Sequence, residues 1–253
     1  MIVALKGYSA YFDASMNKPQ DEMVVDGYLS TLEEWGQFEI SWKLVLAQYH
    51  VPFFKMSEFI GRRQEYSHPK WQSESYRAHF VSDLASIIRS WTVASIACRM
   101  KKDLFEKYNE IYDLDSRFNL FAICGRDCAA QARKYVREIP SDLPIAFIFD
   151  RGDADAGLLT NEMISSGLPA PVFKRSRPDS ILDNDDPYHV QLQACDFSAW
   201  ELRRGESDLE NGKAPQEMRK SLLALNHNNK IWKQTLEPDL KGIIQAAGIN
   251  KRS

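Results

Sequence analysis

Short apolar runs alternate with longer amphipathic stretches along most of this chain, and each predicts one secondary-structure element. The clearest strands are residues 91–98 and 143–149, which are rich in apolar, β-branched and aromatic side chains and carry no charge. Residues 8–12 and 22–29 predict two earlier strands, and residues 170–173 a short edge strand. Strands of this kind, separated by helical patterns, predict a sheet with helices packed against it.

The helical stretches show apolar positions three and four residues apart. In the first, Ser30 or Thr31 can cap a helix that runs to about residue 49, and Glu33 or Glu34 can complete a capping box. Further helices are predicted at the following positions: 73–90, 101–112, 117–138, 156–166 and 188–203. We therefore expect an α/β fold with a mixed sheet over residues 1–205, and a helical C-terminal extension over residues 206–253 packed on it.

The composition is that of an ordinary globular protein. The 253 residues are 44% apolar and 26% charged, and no apolar run approaches the ~20 residues of a membrane span. Without a membrane segment or a leader-like start, a cytoplasmic protein with free thiols is expected. The net charge of -3 argues against one large basic face but permits a local basic patch.

Two of the predicted strands end at an aspartate. Asp13 follows residues 8–12 and precedes a turn-like segment, and Asp150 follows residues 143–149 ahead of Gly152. If the two strands are neighbours in a parallel or mixed sheet, both carboxylates lie at the same edge, where open α/β sheets place their sites.

Two further acids are candidate partners. Residues 53–59 predict a short strand or extended segment that carries Glu58, although this residue suits the start of a helix equally well. Asp196 lies in the middle of an almost wholly apolar helix. A buried, unpaired aspartate costs several kcal/mol, so Asp196 requires a counter-charge, a metal or a cleft.

Carboxylates that converge without a cation repel one another, and a divalent metal removes that penalty. Mg²⁺ prefers oxygen ligands and keeps several waters, which suits a carboxylate site that acts on phosphate. The basic residues Lys174, Arg175 and Arg177 either line a groove beside the acids or form a solvated turn. Residues 61–72 predict an exposed loop and residues 179–187 a polar connection.

Four segments together resemble the DUF 3800 family: FDAS, KMSEF, FIFDRGD and QLQACDFSAWE. The resemblance implies an RNase H-like fold and a metal-dependent nuclease that uses Mg²⁺ or Mn²⁺ on DNA or RNA. It places Asp13, Glu58, Asp150 and Asp196 as catalytic metal ligands, with Gln193 behind Asp196. The last segment is the most specific of the four.

The chain departs from the family pattern at three positions. Ala14 stands where an acid is usual, Lys55 where a histidine is frequent before the second acid, and Cys195 replaces an alanine. The acids and the resemblance together give the first hypothesis, a metal-dependent nuclease or related phosphodiester-processing hydrolase. In this hypothesis Lys174, Arg175 and Arg177 contact phosphate. The second is an inactive nucleic-acid or protein-binding module that keeps the fold. A two-carboxylate glycosidase would leave Asp196 without a role.

Overall fold

The structure is a computed structural model, and it describes residues 6–17, 22–139, 143–151, 156–177, 188–212, 214, 219–225 and 229–251. The described residues form a six-stranded sheet in the order β5-β4-β1-β2-β3-β6. Antiparallel pairing joins β1 to β2 and β2 to β3, whereas the pairs β1–β4, β4–β5 and β3–β6 are parallel. The strands are β1 Tyr8–Asn17, β2 Glu22–Thr31, β3 Ala94–Lys101, β4 Ile145–Asp150, β5 Val172–Lys174 and β6 Lys230–Gln234.

Helices pack on both faces of this sheet, as the α/β prediction required. They are α1 Leu32–Gln48, α2 Met56–Gly61, α3 Glu74–Trp91, α4 Lys102–Tyr112, α5 Leu120–Glu138, α6 Ala156–Ser165, α7 Val190–Glu210, α8 Lys220–Ala224 and α9 Glu237–Ala246. Helices α5 and α6 cover one face, and α7, supported by α1 and α3, covers the other. None of the described helices is long and apolar enough to span a membrane.

The start of α1 confirms the predicted cap. The Thr31 hydroxyl accepts the backbone N–H of Glu34, and the Glu34 side chain accepts the backbone N–H of Thr31. One face of this helix buries Trp35, Phe38 and Trp42. The local pattern therefore sets both where the helix begins and which side faces the core.

The predicted end of the first strand at Asp13 is wrong. Strand β1 continues to Asn17, because β2 pairs with it along its whole length. The parallel pairing with β4, in contrast, runs no further than Phe12 and Phe149, so Asp13 still lies where its parallel neighbour ends. Residues 16 and 17 of the turn expected at residues 16–19 belong to β1, whereas residues 18 and 19, and Gly152 after Asp150, lie outside the described residues.

The segment after α1 also differs from its prediction. Residues 53–55 belong to no helix or strand, and Glu58 lies in the first turn of the short helix α2, which is the second of the two alternatives that the sequence left open. Residues 61–72 are not one exposed loop: they form two 3₁₀ turns that bury Tyr66 and Trp71. These rings pack on Phe59 and Phe80, so the aromatic residues of the segment belong to the core beneath α3.

The C-terminal region adds a strand to the sheet. The extension that was expected to be helical contains β6, which is parallel to β3, ahead of helix α9. The neighbouring residues Ile231 and Trp232 point to opposite faces of this edge strand, where they pack against two different apolar clusters. The region is therefore not wholly helical. Residues 213 and 215–218, and the polar connection at 179–187, lie outside the described residues.

Candidate functional site

Two carboxylates meet where β1 and β4 cease to be paired. Phe12 and Phe149 are register partners, so Asp13 and Asp150 follow them side by side. Successive side chains of a strand point to opposite faces, so both acids face α7, while the two phenylalanines pack in the core beneath α5. Asp13 is 5% exposed and Asp150 8% exposed. The sheet thus holds two nearly buried acids together, as the sequence predicted.

Asp196 lies on α7, above this part of the sheet, and uses both of its oxygens. Its Oδ1 accepts a hydrogen bond from Lys55 Nζ at 2.6 Å, and its Oδ2 accepts one from the backbone N–H of Met56 at 2.6 Å. The predicted need for a counter-charge is met by Lys55. The pair also fastens α7 to the start of α2.

The Lys55 ammonium brings three of the four predicted acids together. Burial alone would lower the pKa of Lys55, but Asp196, and then Asp13 and Asp150, raise that pKa well above its ordinary value. Asp13 and Asp150 act on Lys55 because they lie close to it. From the sequence, Lys55 was a departure from the family pattern, whereas in the structure it pairs with Asp196 and feels the charges of Asp13 and Asp150.

Glu58 approaches the same place from α2. Its Oε1 lies 3.7 Å from a terminal nitrogen of Arg177, and its Oε2 is buried without a hydrogen-bond partner among the described residues. The pKa of Tyr66 is raised by burial and then by Glu58 and Asp196, which puts both carboxylates beside the same ring. Glu58 therefore borders the cluster on the side of α2.

A cleft of about 410 Å³ opens beside these acids. Its charged lining consists of Lys55, Glu58, Asp150, Arg151, Arg175 and Arg177. Four cations face two acids here, which makes the cleft a favourable place for an anionic ligand beside a group of carboxylates. Lys174 is the register partner of Asp150 in β5, at the border of the same cleft.

Gln193 is fully buried and joins the walls of the cleft. Its Oε1 accepts the Trp42 indole N–H and the Phe54 backbone N–H, each at 2.9 Å, and its Nε2 donates to the Ser176 carbonyl at 2.7 Å. These bonds fix the residues just before Lys55 and just before Arg177. Gln193 thus positions the cleft's two walls, rather than Asp196 as expected.

Asp26 is a buried acid that the sequence reasoning missed. It pairs with Asp13 across β1 and β2, and it is 0% exposed with no hydrogen-bond partner for either oxygen among the described residues. Burial raises the pKa of Asp26 to about 7, against the opposing effects of Ser198, Lys230 and the Gly27 backbone. Strand alternation, which puts residue 26 on the face of Tyr28, was the available signal.

The donor chemistry of the site suits a hard dication. Carboxylate oxygens are the ligands that Mg²⁺ and Mn²⁺ take, and Glu58 Oε2 is a buried acceptor without a donor. In the described ranges, no group of three or more histidine, cysteine or acidic side chains is arranged to hold a metal ion. The cation that the structure does place among these acids is the Lys55 ammonium.

No family model matches the chain, and no curated protein matches it either.

Proposed function

We propose that the chain is a metal-dependent nuclease, or a related phosphodiester-processing hydrolase, on an RNase H-like sheet. The observation that carries the proposal is the convergence of Asp13, Asp150 and Asp196 on one ammonium group, next to a cleft with arginines in its lining. A mixed sheet flanked by helices agrees with the fold that the DUF 3800 resemblance implies.

The acids and the arginines of the cleft would take two different roles. Asp13, Asp150 and Asp196, with Glu58 at the border, would hold Mg²⁺ or Mn²⁺, which in such sites activates water and stabilises the leaving oxygen. Arg175 and Arg177 would bind the phosphates of DNA or RNA, because a guanidinium pairs with phosphate oxygens through two parallel hydrogen bonds.

A nuclease assay tests this proposal directly. Single- and double-stranded DNA and RNA would be incubated with the full chain, with Mg²⁺, Mn²⁺ or chelator. We expect dication-dependent cleavage that falls by roughly 10²-fold or more in Asp150→Asn, the order found when one electrostatic contact to a transition state is removed. Glu39→Gln, an exposed acid on α1 that pairs with Lys43, is the matched control and should cleave like the parent.

Two results would count against the proposal. Cleavage that survives Asp150→Asn unchanged would come from another source, and no cleavage of any substrate with either ion would remove the nuclease assignment.

A second candidate function is an inactive nucleic-acid-binding module on the same fold. The observation that favours it is the Lys55–Asp196 ion pair, because an internal ammonium makes the carboxylates tolerable without any metal. This candidate predicts salt-dependent oligonucleotide binding through Arg175 and Arg177, with no cleavage and no effect of Mn²⁺ on the melting temperature.

A further inference from the structure

Lys55 already supplies a positive charge to the carboxylates that a dication would bind. Its Nζ lies 2.6 Å from Asp196 Oδ1. A metal ion bound to the same oxygen would lie so close to this ammonium that the two positive charges would repel each other strongly. Asp13 and Asp150 act electrostatically on the same ammonium. A cation that binds these three acids therefore meets a positive charge already in position.

The Lys55 side chain also has room to move away from the acids. Its side chain is 30% exposed and lines the cleft, so its flexible stem can carry the ammonium from the acids towards solvent. Asp196 would stay in place after that movement, because its Oδ2 keeps the hydrogen bond from the Met56 backbone N–H. The oxygen that loses its partner is Asp196 Oδ1, which had accepted the hydrogen bond from Lys55.

We propose that Lys55 is an internal counter-ion that competes with the dication, so that a metal binds the carboxylate cluster only by displacing the Lys55 ammonium into the cleft. The inference rests on the proposed function, since it concerns how the same site is loaded. It explains why carboxylates at one sheet edge are tolerated in the folded chain: before metal binds, Lys55 balances part of their charge.

The test measures Mn²⁺ affinity by calorimetry, and melting temperature with and without Mn²⁺, in the full-length parent and in Lys55→Met. The variant should melt lower than the parent without metal, because three carboxylates lose their counter-charge. It should bind Mn²⁺ about tenfold or more tightly than the parent, since the ion no longer displaces a charge, and Mn²⁺ should restore its melting temperature.

Lys233→Met is a matched control. Lys233 forms an ion pair of similar burial with Asp127 at 2.5 Å, its side chain being 26% exposed, but on β6 and α5, away from the cleft. This variant should also melt lower than the parent. Its Mn²⁺ affinity should equal that of the parent, and Mn²⁺ should not rescue it selectively.

A measurement on the unmodified chain covers the case in which Lys55→Met does not fold. Lysine acetylation, read by mass spectrometry, should increase at Lys55 when Mg²⁺ is added, because a displaced ammonium becomes accessible. Reactivity at Lys233 should not change with Mg²⁺.

The outcomes separate the two proposals. If the parent binds Mn²⁺, and either Lys55→Met binds it no more tightly or the dication leaves Lys55 acetylation of the parent unchanged, the competition is overturned and the metal-dependent function stands. If neither parent nor Lys55→Met binds Mn²⁺, the metal-dependent function fails, and the competition fails with it. Binding by Lys55→Met alone would support the competition in its strongest form.

Discussion

The two faces of the central sheet differ in chemistry although the same strands form both. Towards α5, strands β1 and β4 present Ala10, Phe12, Phe147 and Phe149, all buried in an apolar core. Towards α7, the intervening positions of the same strands carry Tyr11, Asp13, Ile148 and Asp150.

This difference shows how one backbone serves two purposes. The two-residue alternation of a strand puts consecutive residues, such as Phe12 and Asp13, into opposite environments. Apolar burial on the α5 face stabilises the fold. The carboxylates on the α7 face lower the stability, but the sheet holds them in fixed positions. Changes on the two faces should therefore separate stability from site chemistry.

The largest expected effect is on the apolar face. Phe149→Ala removes a fully buried ring that packs on Phe12 and Phe121, and it should lower the free energy of unfolding by about 4 kcal/mol. Urea unfolding measures this loss, and any melting-temperature gain from Mn²⁺ should remain. Phe149→Leu keeps most of the buried volume and should lose less. A loss below about 1 kcal/mol for the alanine variant would contradict the separation of roles.

The next effect is a pH-dependent gain on the α7 face. The folded-state pKa of Asp26 is raised to about 7 from an ordinary value of 3.8, so between these values the folded state holds a proton that the unfolded state has lost. Stability of the parent should therefore fall as pH rises from about 4 to about 7, and then stay level.

Asp26→Asn removes this titration. The variant should be more stable than the parent at pH 8 by as much as about 3 kcal/mol, with the advantage fading towards pH 4. Urea unfolding at several pH values measures it, and Asp103→Asn, an exposed acid on α4, should keep the parent's decline. A constant difference between Asp26→Asn and parent at every pH would show that Asp26 acts by packing alone.

The smallest effect concerns the amide that joins the walls of the cleft. Gln193→Ala leaves the Trp42 and Phe54 N–H groups and the Ser176 carbonyl without their partner, which should cost about 2 kcal/mol. Because both walls loosen, oligonucleotide and Mn²⁺ affinity should fall as well. Gln191→Ala, on the same helix and with an Oε1 that has no partner among the described residues, is the control. Equal losses in both variants would remove Gln193's positioning role.

Local signals in the sequence predicted much of the fold. The Thr31–Glu34 capping box lies within four residues, and the apolar runs of β3 and β4 need no distant information. Strand β6 was not predicted because its five residues show no apolar–polar alternation and follow a polar stretch, and it pairs with β3 more than 130 positions away. For residues 53–59 the sequence could not decide between a strand and a helix start at Glu58, because the apolar residues before Glu58 suit both, and the structure shows the helix α2.

The sequence predicted the acids of the candidate site but not the cation that balances part of their charge. Strand ends indicated Asp13 and Asp150, and a charge within an apolar helix indicated Asp196. The partner of Asp196 is 141 positions away along the chain, so no local pattern could reveal that Lys55 neutralises it. Asp26 was not singled out because it lies within a predicted strand rather than at a strand end, and only the pairing of β1 with β2 puts it beside Asp13.

The ion pair between Lys55 and Asp196 bears on whether this chain needs a metal ion in order to fold. Many small metalloproteins fold only when their ion arrives, because the ligands otherwise repel one another. A chain that supplies its own positive charge can complete folding on leaving the ribosome, whatever the supply of free magnesium or manganese. Purification in the presence of EDTA should therefore yield a folded protein.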